Sequence, residues 1–166
     1  MFVLLVQLQR VTKLPFSLSN YRASHPLAWI HTNLWGPALT PSTIGARYFL
    51  LFIDDFSRFS WIHSLHTKDQ ALPTFIKFKT MVENQISFCI QCLQSNNGGE
   101  FKTFTLYLTT HRITHICSYP YTPDQNGRVK WKMRHLVETS LALLAITSLP
   151  LQFWLYAFHT TTYLTN

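Results

Sequence analysis

Tyr48-Phe-Leu-Leu-Phe-Ile-Asp-Asp-Phe-Ser-Arg-Phe-Ser-Trp-Ile-His-Ser-Leu65 decides the fold. Its first six residues form an unbroken apolar run, the pattern of a strand buried on both faces. Asp54-Asp55 then supplies turn chemistry, and Phe59 to Leu65 reads as a second strand at hairpin-like separation. Upstream, Trp29-Ile-His-Thr-Asn-Leu-Trp35 is strand-like and closes on the turn signal Gly36-Pro37. Three consecutive strands therefore open the domain.

Downstream the pattern changes to alternation. Lys68 to Gln85 has helical spacing, with Phe75, Phe78 and Val82 on one face, and Pro73 means that the helix starts near it or is kinked. A strand is expected over Phe88 to Leu93, then the polar turn Gln94-Ser-Asn-Asn-Gly-Gly99. A helix from about Glu100 to His111 and a strand from Ile113 to Cys117 follow. After the rigid loop Tyr119-Pro-Tyr-Thr-Pro123, Asp124 is placed to cap a long helix running to about Ile146, and a last helix begins at Pro150. The order β, β, β, α, β, α, β, α, α implies an α/β fold with a five-stranded mixed sheet flanked by helices.

Composition bounds the rest. The 166 residues suit one domain, and 13 Phe, 7 Tyr and 5 Trp make its core aromatic. Charged residues are only 13%, against roughly 25% in ordinary soluble domains. The balance of 14 Lys+Arg against 7 Asp+Glu favours polyanionic partners. Cys89, Cys92 and Cys117 give no disulfide framework and point to an intracellular protein. Cys89-Ile-Gln-Cys92 has the CxxC form, but on a strand the two thiols face opposite sides, so core packing is expected for them rather than a metal.

From Thr139 to Asn166 there is no Asp, Glu, Lys or Arg. Ser148-Leu149-Pro150, Gln152, His159 and the Thr160-Thr161-Thr162 run interrupt that stretch, which favours two buried helices over a membrane span.

Seven segments in order resemble the catalytic core of copia-type retrotransposon integrases, a ribonuclease-H-like fold. They are His31-Thr-Asn-Leu-Trp-Gly-Pro37, Phe52-Ile-Asp-Asp-Phe-Ser-Arg-Phe-Ser-Trp61, Phe78-Lys-Thr-Met-Val-Glu-Asn84 and Ser95-Asn-Asn-Gly-Gly-Glu100. Tyr121-Thr-Pro-Asp-Gln-Asn-Gly127, Arg134-His-Leu-Val-Glu138 and Ser148-Leu-Pro-Leu-Gln-Phe-Trp154 complete the set. The resemblance divides the chain into a core-like domain over 28–166, cut short at its C-terminus, and a leader over 1–27. Lys13-Leu-Pro-Phe16 in that leader is similar to the family's link between a zinc-binding region and the core, and Val3 and Val6 stand where that region would end in its last two Cys ligands.

The resemblance implies two-metal DNA strand transfer, in which three carboxylates hold two Mg²⁺ or Mn²⁺ ions roughly 3.5–4 Å apart. The family patterns H-[ST]-D-L-W-G-P, R-S-D-N-G-G-E and Q-N-G-V-A-E-R-K place those acids where this chain has Asn33, Asn96 and Lys130. Three carboxylates would bring about −3 of charge to the ions, whereas these three side chains bring about +1. No metal and no catalysis are therefore expected. Asp54, Asp55, Glu100 and Glu138 are the neighbouring acids, and turn, helix-terminus and solvated-face roles account for them. Gln94 and Trp131 stand where the family has Arg, and the spacing from Asn96 to Lys130 is two residues short of the family pattern.

The helix bearing the third acid lies against DNA in integrases, so Arg128, Lys130, Lys132, Arg134 and His135 are the candidate nucleic-acid contacts. The three replacements change the charge by +1, +1 and +2, so restoring the acids would take the net charge from +7 to +3. Basicity alone is thus a weak argument for DNA affinity. The expectation is an inactive integrase-core-like domain with weak, nonspecific DNA contact, no membrane partner and a nuclear location if it follows its family. A binding module recruited to a new role, or an unstable relic, are the alternatives.

Overall fold

A computed structural model describes residues 22–118 and 127–166. Most of the leader, the Tyr119–Pro123 loop and the proposed cap Asp124 lie outside these residues.

The three expected opening strands form β1 (Trp29–Trp35), β2 (Tyr48–Asp54) and β3 (Ser60–Leu65). They pair antiparallel in sequence, with Asn33 opposite Leu51 and Phe52 opposite Trp61. Between β1 and β2, Gly36 has φ of +125° and a Cβ there would lie 2.6 Å from the Arg47 carbonyl oxygen, so only glycine fits. Beyond β1 the sheet continues with β4 (Cys92–Ser95) and β5 (Thr114–Cys117), both parallel to it, giving the order β3-β2-β1-β4-β5.

The apolar run of β2 is buried on both faces because each face carries a helical layer. Leu50 and Phe52 point to one side, where α1 (Ala71–Ile86), α2 (Gly99–Lys102) and α3 (Phe104–Thr110) supply Phe75, Phe78, Phe101 and Phe104. Phe52 stacks on Phe78 with ring centroids 4.1 Å apart. Phe49, Leu51 and Ile53 point to the other side, where α4 (Gly127–Thr147) and α5 (Trp154–Thr165) supply Val129, Met133, Leu136, Trp154 and Phe158. Trp35, Phe49, Trp154 and Phe158 form one aromatic cluster there. Emptying either cluster by a Phe→Ala change at Phe52 or Phe158 costs about 3–5 kcal/mol.

Pro73 falls in the first turn of α1, where its missing N–H matters least, so the helix starts beside it rather than kinking. Other expectations need correction. β4 begins at Cys92, not Phe88: Phe88 and Cys89 are exposed and only the second half of the apolar run enters the sheet. Cys92 is buried, whereas Cys89 is on the surface and does not pack in the core. The single helix expected over 100–111 is two, α2 and α3, broken at Thr103. The charge-free C-terminal stretch is two segments, with a 3-10 turn at Leu151–Phe153 leading into α5. Among the described residues no helix is long and apolar enough to cross a membrane.

Candidate functional site

β1 alternates about the sheet. Ile30 and Leu34 belong to the α1 side, while Asn33 meets α4, its Nδ2 lying 3.4 Å from Sδ of Met133. The parallel register that sets His31 beside Gln94 carries Asn96, one residue past β4, alongside Asn33. The two side chains meet: Asn96 Nδ2 donates to Asn33 Oδ1 at 2.8 Å. Asn96 Oδ1 in turn accepts the Gly98 N–H at 3.0 Å. Both carbonyl oxygens of the pair are thus already occupied by N–H donors.

Lys130 lies on the same helix, one turn before Met133, with its side chain exposed. The fold therefore brings two of the three positions that the family patterns single out into contact, although Asn33 and Asn96 are 63 residues apart in the chain, while Lys130 is exposed on α4 and bonds to neither. Gln94, the other replaced position in this segment, is buried and accepts the indole N–H of Trp29 at 3.1 Å.

The neighbouring acids are engaged elsewhere. Asp54 sits opposite Ile30, three residues along β1 from Asn33, which is about 10 Å of strand. Its carboxylate accepts the Leu27 N–H and both the N–H and the hydroxyl of Ser57. Asp55, 1% exposed, accepts the Ala23 N–H at 2.9 Å and binds His31 Nε2 at 3.0 Å. Arg58 pairs with it at 3.0 Å, and Arg128 of α4 closes on the same oxygen. Burial alone would raise its pKa, but the Ala23 N–H, His31 and Arg128 outweigh that and hold it below the ordinary carboxylate range. These roles exceed turn chemistry, since Asp55 ties the segment before β1, the strand itself and α4 together. Glu138 is exposed and two helical turns beyond Lys130. Glu100 is closer, its carboxylate folding back over Gly98 near the Asn96 amide. Among the described residues no three His, Cys, Asp or Glu side chains converge as a metal-ligand group.

The five candidate nucleic-acid contacts divide. Lys130 and Arg134 are exposed and make no ion pair among the described residues. Arg128 is committed to Asp55. Lys132 is half-buried, and its Nζ donates to the Thr165 carbonyl at 3.2 Å and the Thr165 hydroxyl at 2.9 Å. That places an ammonium at the C-terminal end of α5, where the helix dipole favours it, and burial lowers its pKa. His135 stacks on Trp131, with centroids 5.5 Å apart and planes within 7°.

No family model matches the chain. Proteins of plant transposons do. It is 42% identical over 93% of its length to "Retrovirus-related Pol polyprotein from transposon RE2" of Arabidopsis thaliana. It is 39% identical over 96% to the transposon RE1 polyprotein of the same plant, and 36% identical over 93% to the TNT 1-94 polyprotein of Nicotiana tabacum. The chain spans only about a tenth of the length of these relatives, 10–12%. Among solved structures, 86% of the chain superposes with a TM-score of 0.65 and 15% identity on 49% of a chain from a simian T-cell lymphotropic virus intasome in complex with PP2A regulatory subunit B56 gamma. At that identity the likeness shows the fold. The chain belongs to the Pol polyproteins of copia-type retrotransposons, of which it is an integrase-core-like segment with the ribonuclease-H-like fold.

Proposed function

We propose that this integrase-core-like domain no longer performs two-metal strand transfer and keeps only weak, nonspecific DNA contact through α4. The Asn33–Asn96 hydrogen bond carries the reading. Two neutral amides whose oxygens already accept N–H groups offer no anionic oxygen to a divalent ion, and Mg²⁺ dehydrates reluctantly for anything less. The ammonium of Lys130 adds positive charge where the family pattern has an acid. The residues present therefore do not fit a pair of Mg²⁺ or Mn²⁺ ions. Among the described residues, Glu100 beside Asn96 is a single carboxylate where two-metal chemistry calls for three.

Two of the five basic candidates, Lys130 and Arg134, are free to meet phosphate, and Arg128 and Lys132 have structural partners instead. That supports a shallow electrostatic contact rather than a tight one. Calorimetric titration of the purified chain with Mn²⁺ and anisotropy on duplex DNA across a salt series test both halves. Expected are no saturable heat of Mn²⁺ binding and a log–log salt slope of about −2. Saturable binding at two Mn²⁺ per chain, or a slope near zero, would refute the respective half.

A further inference from the structure

We propose that Trp131 and His135 form a stacking platform for an unpaired nucleobase, so that the α4 face prefers single-stranded to double-stranded nucleic acid. This rests on the reading of α4 as a nucleic-acid contact and names the form of nucleic acid it takes.

α4 buries Val129, Met133, Leu136 and Ser140 against the sheet. At 3.6 residues per turn, the position opposite that face is Trp131. Its indole is 67% exposed, at the centre of a solvent-facing surface where a solvated helix normally carries charge. Exposure alone says little on this chain, where Leu106, Ile146 and Tyr163 are more exposed still; the ring and the charges beside this indole say more.

Two observations point to what covers it. The indole and the His135 imidazole lie parallel one helical turn apart, 5.5 Å between centroids and 7° between planes. That is an ordered flat surface which a third aromatic plane can extend. Charge surrounds it: Arg134 is exposed on the same face, Lys130 borders it, and Arg128 is half-exposed one turn before Trp131 although paired with Asp55. An occupant that is flat and aromatic on one side and anionic on the other matches this surface, and a nucleotide is both. In a duplex the bases are already stacked and turned inward, so phosphate is all that this face could meet. An unpaired nucleotide can offer phosphate and base together, and each stacked base adds affinity without regard to sequence. Glu138, exposed one turn beyond Arg134, limits the platform to the first half of α4.

The test is fluorescence anisotropy of the full chain with labelled oligo(dT) and with a duplex of equal length, at low salt. Wild type is expected to bind oligo(dT) more tightly than duplex. Trp131→Ala should lose roughly 5- to 150-fold in oligo(dT) affinity, the range for one stacked base, with a far smaller change on duplex. Trp131→Phe should recover much of the loss, and Arg134→Ala should weaken both ligands alike. Equal oligo(dT) affinity for wild type and Trp131→Ala overturns the platform while leaving DNA contact through α4 standing. Binding of neither ligand removes the α4 reading and the platform together. A change in oligomeric mass on Trp131→Ala, read by light scattering, with oligo(dT) affinity intact, would assign the face to a second copy of the chain instead.

Discussion

Asn96 donates its Nδ2 hydrogen to Asn33 Oδ1 across 2.8 Å, joining the end of β4 to the middle of β1. In the family pattern both positions are acids, and two carboxylates this close repel unless cations sit between them. Here the pair is neutral and joined by a hydrogen bond, so the sheet holds together at this point without an ion.

The double change Asn33→Asp with Asn96→Asp should therefore destabilise the domain in the absence of divalent ions, by about 1–3 kcal/mol at neutral pH. Adding Lys130→Glu should make the melting temperature rise with Mn²⁺, while the parent chain shows no such rise. Thermal melts with and without Mn²⁺ measure this. A double variant that melts at or above the parent without metal would contradict it.

Asp55 has a separate structural role. Removing its carboxylate by Asp55→Ala strands the buried His31 and the Ala23 N–H and unties Arg128 of α4. Unfolding in urea should show a loss of about 2–4 kcal/mol, discounted from the buried-pair range because both arginines are partly exposed. A loss below about 0.5 kcal/mol would mean that the carboxylate is only a turn residue.

Stability should fall with acid in two stages. Burial lowers the pKa of His63, His115 and His159, and of His31 despite the opposing bond to Asp55. Each is held neutral by the fold, so below about pH 6.5 the unfolded chain binds more protons and stability drops as pH falls. Asp55 is shifted downward too, so its contribution is intact above about pH 4 and is lost as pH falls through its depressed value. Urea midpoints at pH 8, 5.5 and 3.5 should decrease in that order. A midpoint higher at pH 5.5 than at pH 8 would reverse the sign and refute the assignment.

The basic residues of α4 should separate by function. Lys130→Ala and Arg134→Ala are each expected to reduce the log–log salt slope of DNA binding by about 1. Lys132→Ala should leave the slope unchanged and lower stability by about 1 kcal/mol, because it frees the end of α5. A slope change on Lys132→Ala equal to that on Lys130→Ala would show that its ammonium leaves Thr165 for phosphate.

The fold was legible where burial is two-sided or strictly periodic. Tyr48 to Ile53 announces a central strand because both faces of β2 meet phenylalanines, and Phe75, Phe78 and Val82 mark α1 because they share one buried face. The run from Ile86 to Leu93 misleads for the opposite reason. Phe88 is apolar but stacks on His25 at the surface, 5.0 Å between centroids, and leaves the sheet to Cys92 and its successors. Thr103 breaks α2 from α3 with no glycine or proline to signal it, its hydroxyl donating back to the Glu100 carbonyl.

Motif order singles out Asn33, Asn96 and Lys130, and the parallel register of β1 and β4 explains why the first two touch. Individual roles were not legible. Lys132 finds its partner 33 residues later in the chain, and Asp55 finds Arg128 at 73. Spacing along one helix cannot distinguish such a bound cation from a free one. Trp131 reads in the sequence only as a replaced arginine; its exposure and its alignment with His135 emerge from the packing of α4.

We propose above that this ribonuclease-H-like scaffold no longer joins DNA. Strand transfer of a labelled duplex end into plasmid, with the purified chain in Mg²⁺ and in Mn²⁺, tests it most directly. No joined product above a heat-denatured control is expected in either metal. Joined product that depends on the folded chain and on the divalent ion would contradict it.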